Sequence, residues 1–422
     1  MKGRAELEAL RAALGARAVR AHTPIEVDGV ALGVTVAPAD ADSLSAALQA
    51  LSQRRLAAVV RGGGTRLGFG NPPRRADVLL STERLTGIDV LDAEDGVAQV
   101  WAGTPVAALR EATRARGWEL ALDPPGEGST LGGTLASAAT GPRSLGFGPP
   151  RDSVLGLSVV LASGTRTRCG GRVVKNVTGY DLAKLYTGSF GTLGVISRAW
   201  LRLRPRPERE LVLRAPARGL AKTLERGVAW ARRPGVRALA IVDAELAARV
   251  DPGSRGAEEG LVLIELAGDA PVVERDAERL ARELRAEATS ERALERVREV
   301  QGSTPRPSGM RVRVSALASR LAAALEPLAR VGAQLLVYPG QGLVYGFVPL
   351  ASANDAAAAR AALRESARAG DGTGCIEDAP SWAKHGDDVF GASGPELALM
   401  RSIKRRFDPE GVLNPGRFAG GL

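Results

Sequence analysis

The run Ala57-Ala58-Val59-Val60-Arg61-Gly62-Gly63-Gly64-Thr65-Arg66-Leu67-Gly68 is a short apolar strand that opens directly into consecutive glycines. Where side chains vanish, successive backbone N–H groups can point into one concavity, which suits a phosphate or pyrophosphate. The pattern is neither Gly-x-x-x-x-Gly-Lys-Ser/Thr nor Gly-x-Gly-x-x-Gly. The nucleoside-triphosphate loop and the Rossmann fingerprint are therefore both missing. Alone, this loop reads equally well as a tight structural turn.

Two more clusters follow. Pro124-Pro125-Gly126 leads into Ser129-Thr130-Leu131-Gly132-Gly133-Thr134-Leu135-Ala136, with Thr140-Gly141-Pro142-Arg143, Gly146-Phe147-Gly148 and Arg151-Asp152 close behind. Loops this long are uncommon in compact domains unless they bind something. Hydroxyls between glycines, with the charge of Arg143, suit an extended anion, so ligand binding is favoured over a plain surface loop. The third cluster is Gly170-Gly171-Arg172-Val173-Val174-Lys175-Asn176-Val177-Thr178-Gly179-Tyr180-Asp181, continued by Gly188-Ser189-Phe190-Gly191-Thr192-Leu193-Gly194-Val195-Ile196. Glycines spaced at three allow close backbone packing. The Lys-Asn and Tyr-Asp pairs are harder to explain that way.

Around these loops the pattern is mixed α/β. Strands are expected at 34–37, 57–61, 78–81, 88–92, 97–102, 154–162, 165–169 and 193–204. Helices are expected at 43–53, capped by Asp40 or Asp42, and at 105–116, with a helical turn at 182–186. The stretch 123–150 reads as loop, and Pro205 and Pro207 mark a boundary. From 208 to 370, strands near 211–214, 238–242, 261–266, 312–314, 335–338 and 343–348 alternate with Ala- and Arg-rich helices, as in a separate α+β lobe. A helix at 396–407 and a punctuated tail close the chain.

With 422 residues, the chain exceeds what one core usually organises. Hydrophobic residues at 45% and charged ones at 25% describe an ordinary globular protein. The formal charge of +10 invites a nucleic-acid reading. Arginines alternate with acids between 274 and 299 as on solvated helix faces, and no basic tail or nucleic-acid signature occurs, so that class is set aside. A basic surface suits acidic substrates, an acidic partner subunit or an anionic membrane face. Cys169 and Cys375 are the two cysteines; without Cys-x-x-Cys, an iron–sulfur centre or zinc knuckle cannot be built from this chain alone. The first twenty residues have no apolar core of an export signal, and no apolar run is long enough for a transmembrane segment, so a cytoplasmic location is expected.

The three glycine clusters, in this order and spacing, resemble the FAD-binding domain of the vanillyl-alcohol oxidase and p-cresol methylhydroxylase family. Gly170–Leu182, the Gly188–Ile196 run and the ending Phe407-Asp408-Pro409-Glu410-Gly411-Val412-Leu413-Asn414-Pro415-Gly416-Arg417 are similar to the branch that contains the FAD-binding subunit of bacterial glycolate oxidase and D-lactate dehydrogenase. The likeness covers the first half of the chain and its extreme C-terminus. It implies an α+β fold, a two-lobed FAD-binding domain with an α+β cap whose sheet is mainly antiparallel. The domains would run 1–207 (lobes meeting near 90), 208–370 for the cap, and 371–422 returning to the FAD-binding domain.

The same resemblance implies that Gly62, Gly63, Gly64, Thr65 and Arg66 cradle the FAD pyrophosphate, with Ser129, Thr130, Gly132 and Gly133 across from them. Gly141, Arg143 and Gly148 would supply the next contact, Val195 and Ile196 would sit by the adenine, and the Asn414 amide would meet the flavin. His22 and Cys169 do not match the family's covalent attachment positions, so non-covalent FAD is expected. Catalytic members of the branch hold a divalent metal in a histidine cluster of the cap. This chain has only His22 and His385, so no metal site is expected, and His385 reads as a surface residue. Arg311 and Arg313 could clamp a carboxylate, but an outward, solvated pair is favoured.

The resemblance thus implies an FAD-carrying subunit oxidising a small 2-hydroxy acid, glycolate to glyoxylate. It would work beside a second flavoprotein and an iron–sulfur subunit, peripheral to the inner membrane face through those partners. A stand-alone 2-hydroxyacid dehydrogenase and a non-catalytic structural subunit are the alternatives.

Overall fold

The computed structural model describes residues 4–172, 180–252, 259–303 and 309–422. The strand before the first glycines forms as Ala58–Arg61 and pairs in parallel with Val78–Ser81. On its far side Val78–Ser81 runs parallel to Val30–Val36, which turns back antiparallel onto Val19–Val27. The last strand was not expected from the sequence: polar residues at His22 and Thr23 break its alternation, and the register shifts between Ala21 and Ile25. Helix Ala41–Gln53 covers this sheet with Leu44, Leu48 and Leu51. Asp40 rather than Asp42 caps it, accepting from Ser43 N at 2.7 Å.

The second sheet begins at Ile88. Its order is Ile88–Asp92, Val97–Trp101, Val195–Arg202, Val154–Val160 and Arg166–Gly170, antiparallel throughout. The stretch 123–150, read as loop, contains the helices Leu131–Ala136 and Ser144–Phe147. Glycine is a poor helix former, which hid the first from the sequence. Tertiary packing overrides that preference. A Cβ on Gly132 would lie 2.7 Å from Ala102 Cβ, so the bare backbone is what lets the helix touch the sheet.

Beyond the proline boundary, the described strands build a wholly antiparallel sheet in the order Glu287–Thr289, Arg209–Pro216, Leu261–Gly268, Val236–Val242, Gln334–Tyr338, Leu343–Pro349, Gly309–Ser315 and Thr373–Asp378. This cap sheet runs past the expected limit at 370, because Thr373–Asp378 completes its edge against Gly309–Ser315.

Strand parity then fixes what faces the first domain, since alternate side chains take opposite faces. Val262, Ile264, Met310, Val312, Val314 and Ile376 fill an apolar core under the long helices. Their neighbours Glu265, Arg311, Arg313, Cys375 and Glu377 take the other face. The expectation that Arg311 and Arg313 point outward into water is thereby corrected. Arg311 is 2% exposed, and both arginines meet the buried Glu377.

Candidate cofactor groove

The C-terminal tail closes the first domain before any ligand is considered. Ala58 N donates to Val412 O and Asn414 N to Ala58 O, so the tail lies alongside the glycine-loop strand. The wording of the tail explains this placement. Asp408 accepts from Val412 N and Leu413 N, and the buried Lys404 ammonium bridges Asp408, Thr192 O and Leu413 O at 2.5–2.8 Å. Arg417 ties the loop after the glycines, donating to Leu67 O, to Phe69 O and to Asp28.

A groove opens between these pieces. Gly62, Gly63, Gly64, Thr65, Arg66, Ser129, Thr130, Gly133 and Asn414 all line it. The two glycine loops are in contact: a Cβ on Gly63 would overlap the Gly128 carbonyl, and one on Gly62 would overlap Thr130 Oγ1. Thr65 Oγ1 and Ser129 Oγ lie 3.2 Å apart. Gly64 has φ +80°, a conformation L side chains rarely adopt.

Among the described residues, no backbone N–H from Gly62 to Arg66 finds an acceptor. The Nε atoms of Arg61 and Arg66 are buried without a hydrogen-bond partner. Buried donors are rarely left so. An unpaired row of N–H groups beside orphaned guanidinium nitrogens is a cradle for a polyanion, and a dinucleotide pyrophosphate fits it.

The other expected contacts lie elsewhere. Gly141 and Arg143 stand at the seam with the cap: Arg143 N donates to Asp123, while its guanidinium forks onto Glu265 at 2.7–3.1 Å. That fork occupies the charge the sequence reading had assigned to cofactor. Gln341 from the cap reaches Gly141 O and Pro142 O. Gly132 packs on Ala102, and Gly148 ends a short helix with φ +80°. Val195 and Ile196 are buried strand residues paired with Val160 and Val159.

Asn414 lines the groove, but its amide is already engaged. Oδ1 accepts from Val60 N at 2.9 Å and Nδ2 donates to Phe190 O at 2.7 Å. One N–H and one lone pair remain for a ring edge. Residues 173–179 of the third cluster lie outside the described residues.

The sequence did not single out Phe69 and Phe190, which form an aromatic wall at 4.8 Å between ring centroids, nor Glu377. At the groove's cap end, Glu377 accepts from Arg66 at 3.2 Å and from Arg313 Nε at 2.8 Å, with Arg311 Nε at 3.5 Å. Burial alone would raise the Glu377 carboxyl, but Arg66, Arg313 and Arg311 outweigh it and hold its pKa at about 2. It is therefore an ionised strut and a poor base. Burial raises the Tyr345 phenol and the Cys375 thiol, so both stay protonated. His385 is exposed. Among the described residues, no group of three or more metal-ligating side chains forms.

Fold and groove together have the architecture of flavoproteins of the p-cresol methylhydroxylase type. Residues 33–170 match the family model described as FAD binding domain, and 391–418 the one described as FAD linked oxidases, C-terminal domain; the chain carries an FAD-binding domain, and FAD is its cofactor. Substrate-bound p-cresol methylhydroxylase superposes with a TM-score of 0.76 at 17% identity, over 97% of this chain and 95% of that one. For 4-ethylphenol oxidase from Gulosibacter chungangensis the values are 0.74, 15%, 98% and 97%. At such identities the likeness concerns the fold alone.

Among curated relatives, D-lactate dehydrogenase of Archaeoglobus fulgidus is 38% identical over 183 residues, 43% of this chain and 41% of that protein. Glycolate oxidase subunit GlcD of Bacillus subtilis is 37% identical over 181 residues, 43% of this chain and 38% of that protein. Glycolate oxidase subunit GlcE of Escherichia coli is 36% identical over 158 residues, 37% of this chain and 45% of that protein. The chain spans less than half the length of the curated relatives it matches.

No histidine or cysteine lines the groove among the described residues; His22 bonds Thr35 Oγ1 instead. Acid precipitation is therefore expected to leave a colourless pellet and a yellow supernatant. Flavin absorbance retained on the denatured polypeptide would contradict non-covalent binding.

Proposed function

We propose that this chain is the FAD-binding subunit of a glycolate oxidase-type complex that oxidises a small 2-hydroxy acid, glycolate to glyoxylate. Its partners would be a second flavoprotein and an iron–sulfur subunit, with the assembly cytoplasmic and peripheral to the inner membrane face. The relatives named for D-lactate and glycolate oxidation support the chemical class. No helix among the described residues is long and apolar enough to cross a membrane.

The observation that carries the reading is the charge balance where groove meets cap. Arg66, Arg311 and Arg313 face one carboxylate among the described residues, Glu377, while Asp378 on the same strand turns toward Gly68 and Lys384. Arg311 Nε lacks a hydrogen-bond partner among the described residues. A substrate carboxylate supplies the missing negative charge and acceptors. When bound, FAD supplies hydride acceptance from a carbon bearing a hydroxyl. The chain's own part is to hold the substrate carboxylate on the arginines, with Glu377 fixing their orientation, and to keep the α-carbon at the groove.

Anaerobic mixing of the FAD-loaded protein with glycolate, D-lactate or D-2-hydroxyglutarate tests this directly. Saturable bleaching of the flavin bands is expected, and Arg313→Ala should raise the half-saturating concentration roughly 10- to 100-fold, with partial recovery in Arg313→Lys. No bleaching by any of the acids, with or without partner subunits, would overturn the substrate reading. Sustained turnover by the chain alone with an artificial acceptor would contradict the subunit reading.

A further inference from the structure

Helix Glu396–Phe407 buries its lysine, packs Ile403 and Phe407 against the core and leaves Leu399 in solvent. Lys404 is its buried residue, whereas Leu399 is 64% exposed and Met400 and Ile403 are half-buried. A lone exposed leucine is ordinary, but here Met400 and Ile403 form one wall of an apolar groove. Leu185, Leu193 and Phe418 form the other wall. This groove is distinct from the cofactor groove, although Phe418 stacks on Phe190 at 5.2 Å, and Phe190 lines the cofactor groove.

The exposed side of the same helix is cationic. Arg401, Arg405 and Arg406 are solvent-exposed, and none forms an ion pair among the described residues. Asp181, near the opposite wall, is taken by Lys184 at 3.0 Å. Arg401 and Arg405 are one turn apart and so present adjacent charges.

We propose that this groove docks an acidic, amphipathic segment of a partner protein, its apolar side chains between Met400 and Leu185 and its carboxylates on Arg401 and Arg405. The chain's net charge of +10 steers in the same sense. A second copy of this chain fits poorly, because a two-fold contact would face two basic rims against each other. A lipid surface fits poorly as well, since most of the apolar side chains line a concavity instead of projecting. The inference does not require the substrate reading above, and binding rather than turnover tests it.

The probe is a fluorescein-labelled synthetic helix with Leu and Phe on one face and Glu on the other, titrated against FAD-loaded protein. Saturable binding is expected, weakened at least about 10-fold by Met400→Glu, by the double variant Arg401→Glu/Arg405→Glu, and by added salt. A Lys-for-Glu peptide should prefer the charge-reversed protein. The arginine variant, confined to exposed positions, keeps the test readable if Met400→Glu disturbs the helix. The proposal is overturned by absent binding, or by equal affinity across the variants. It is equally overturned by a wild-type dimer that Met400→Glu dissolves in sedimentation, or by phosphatidylglycerol-vesicle binding that the same substitution abolishes.

Discussion

Gly63→Val is expected to abolish FAD binding, lowering affinity at least about 100-fold, or on the order of 3 kcal/mol. The cause is steric and local. A Cβ at Gly63 would overlap the Gly128 carbonyl, with Thr130 Cγ2 at 3.5 Å, so any side chain must force the two glycine loops apart. That separation destroys the cradle formed by the free N–H groups on one side and Ser129 and Thr130 on the other. Gly171→Ala is the matched control: a Cβ there meets nothing within 4 Å among the described residues, and its φ is not in the left-handed region. Flavin absorbance per chain after purification reads both variants. A Gly63→Val protein that keeps its full yellow colour would remove this loop from the cofactor site.

The second large effect is expected at Glu265→Ala, a loss of about 3–5 kcal/mol in stability. Glu265 is fully buried and is the shared acceptor of Arg143, from the FAD-binding domain, and Arg237, from the cap. Arg237 also reaches Glu119 and Glu210 at 2.6–2.7 Å. Removing the carboxylate leaves two guanidinium groups buried beside one another at the domain seam. The midpoint of urea unfolding should fall accordingly, and an unchanged midpoint would contradict a structural role for this cluster.

The same residue sets an acid limit. Burial would raise the Glu265 pKa, but the hydrogen bonds and charges of Arg237 and Arg143 prevail and hold it at about 2, against 4.5 for an ordinary glutamate. A depressed folded pKa stabilises the protein fully above the unfolded value. The contribution is lost as pH falls from about 4.5 toward 2. Glu377 is shifted in the same direction and to about the same value, so the seam and the groove's cap end should loosen in one acid window.

Much of the fold was legible because local signals agreed with one another. The strands at 78–81 and 88–92 and the helix at 396–407 occur with the expected bounds. Helix Leu131–Ala136 was hidden because its two glycines argue against a helix locally, and only contact with Ala102 explains them.

The site divides in the same way. That the row Gly62–Arg66 lines a groove was legible because absent side chains are visible in a sequence. Glu377 could not, because its meaning comes from Arg66, 311 positions earlier, and from Arg313 across a strand pair. The Arg143–Glu265 pair was hidden for a related reason: a cation beside glycines suggests an anionic ligand, and its carboxylate partner lies 122 residues away in the cap.

Hydrogen–deuterium exchange of the flavin-stripped protein, with and without added FAD, tests the convergence of the glycine loops most directly. Protection should appear together in peptides covering 59–67, 129–139 and the segment around 190 and 414, saturating at one FAD per chain. Protection restricted to a single loop, or appearing outside these segments while they stay unchanged, would mean that the loops do not share one dinucleotide.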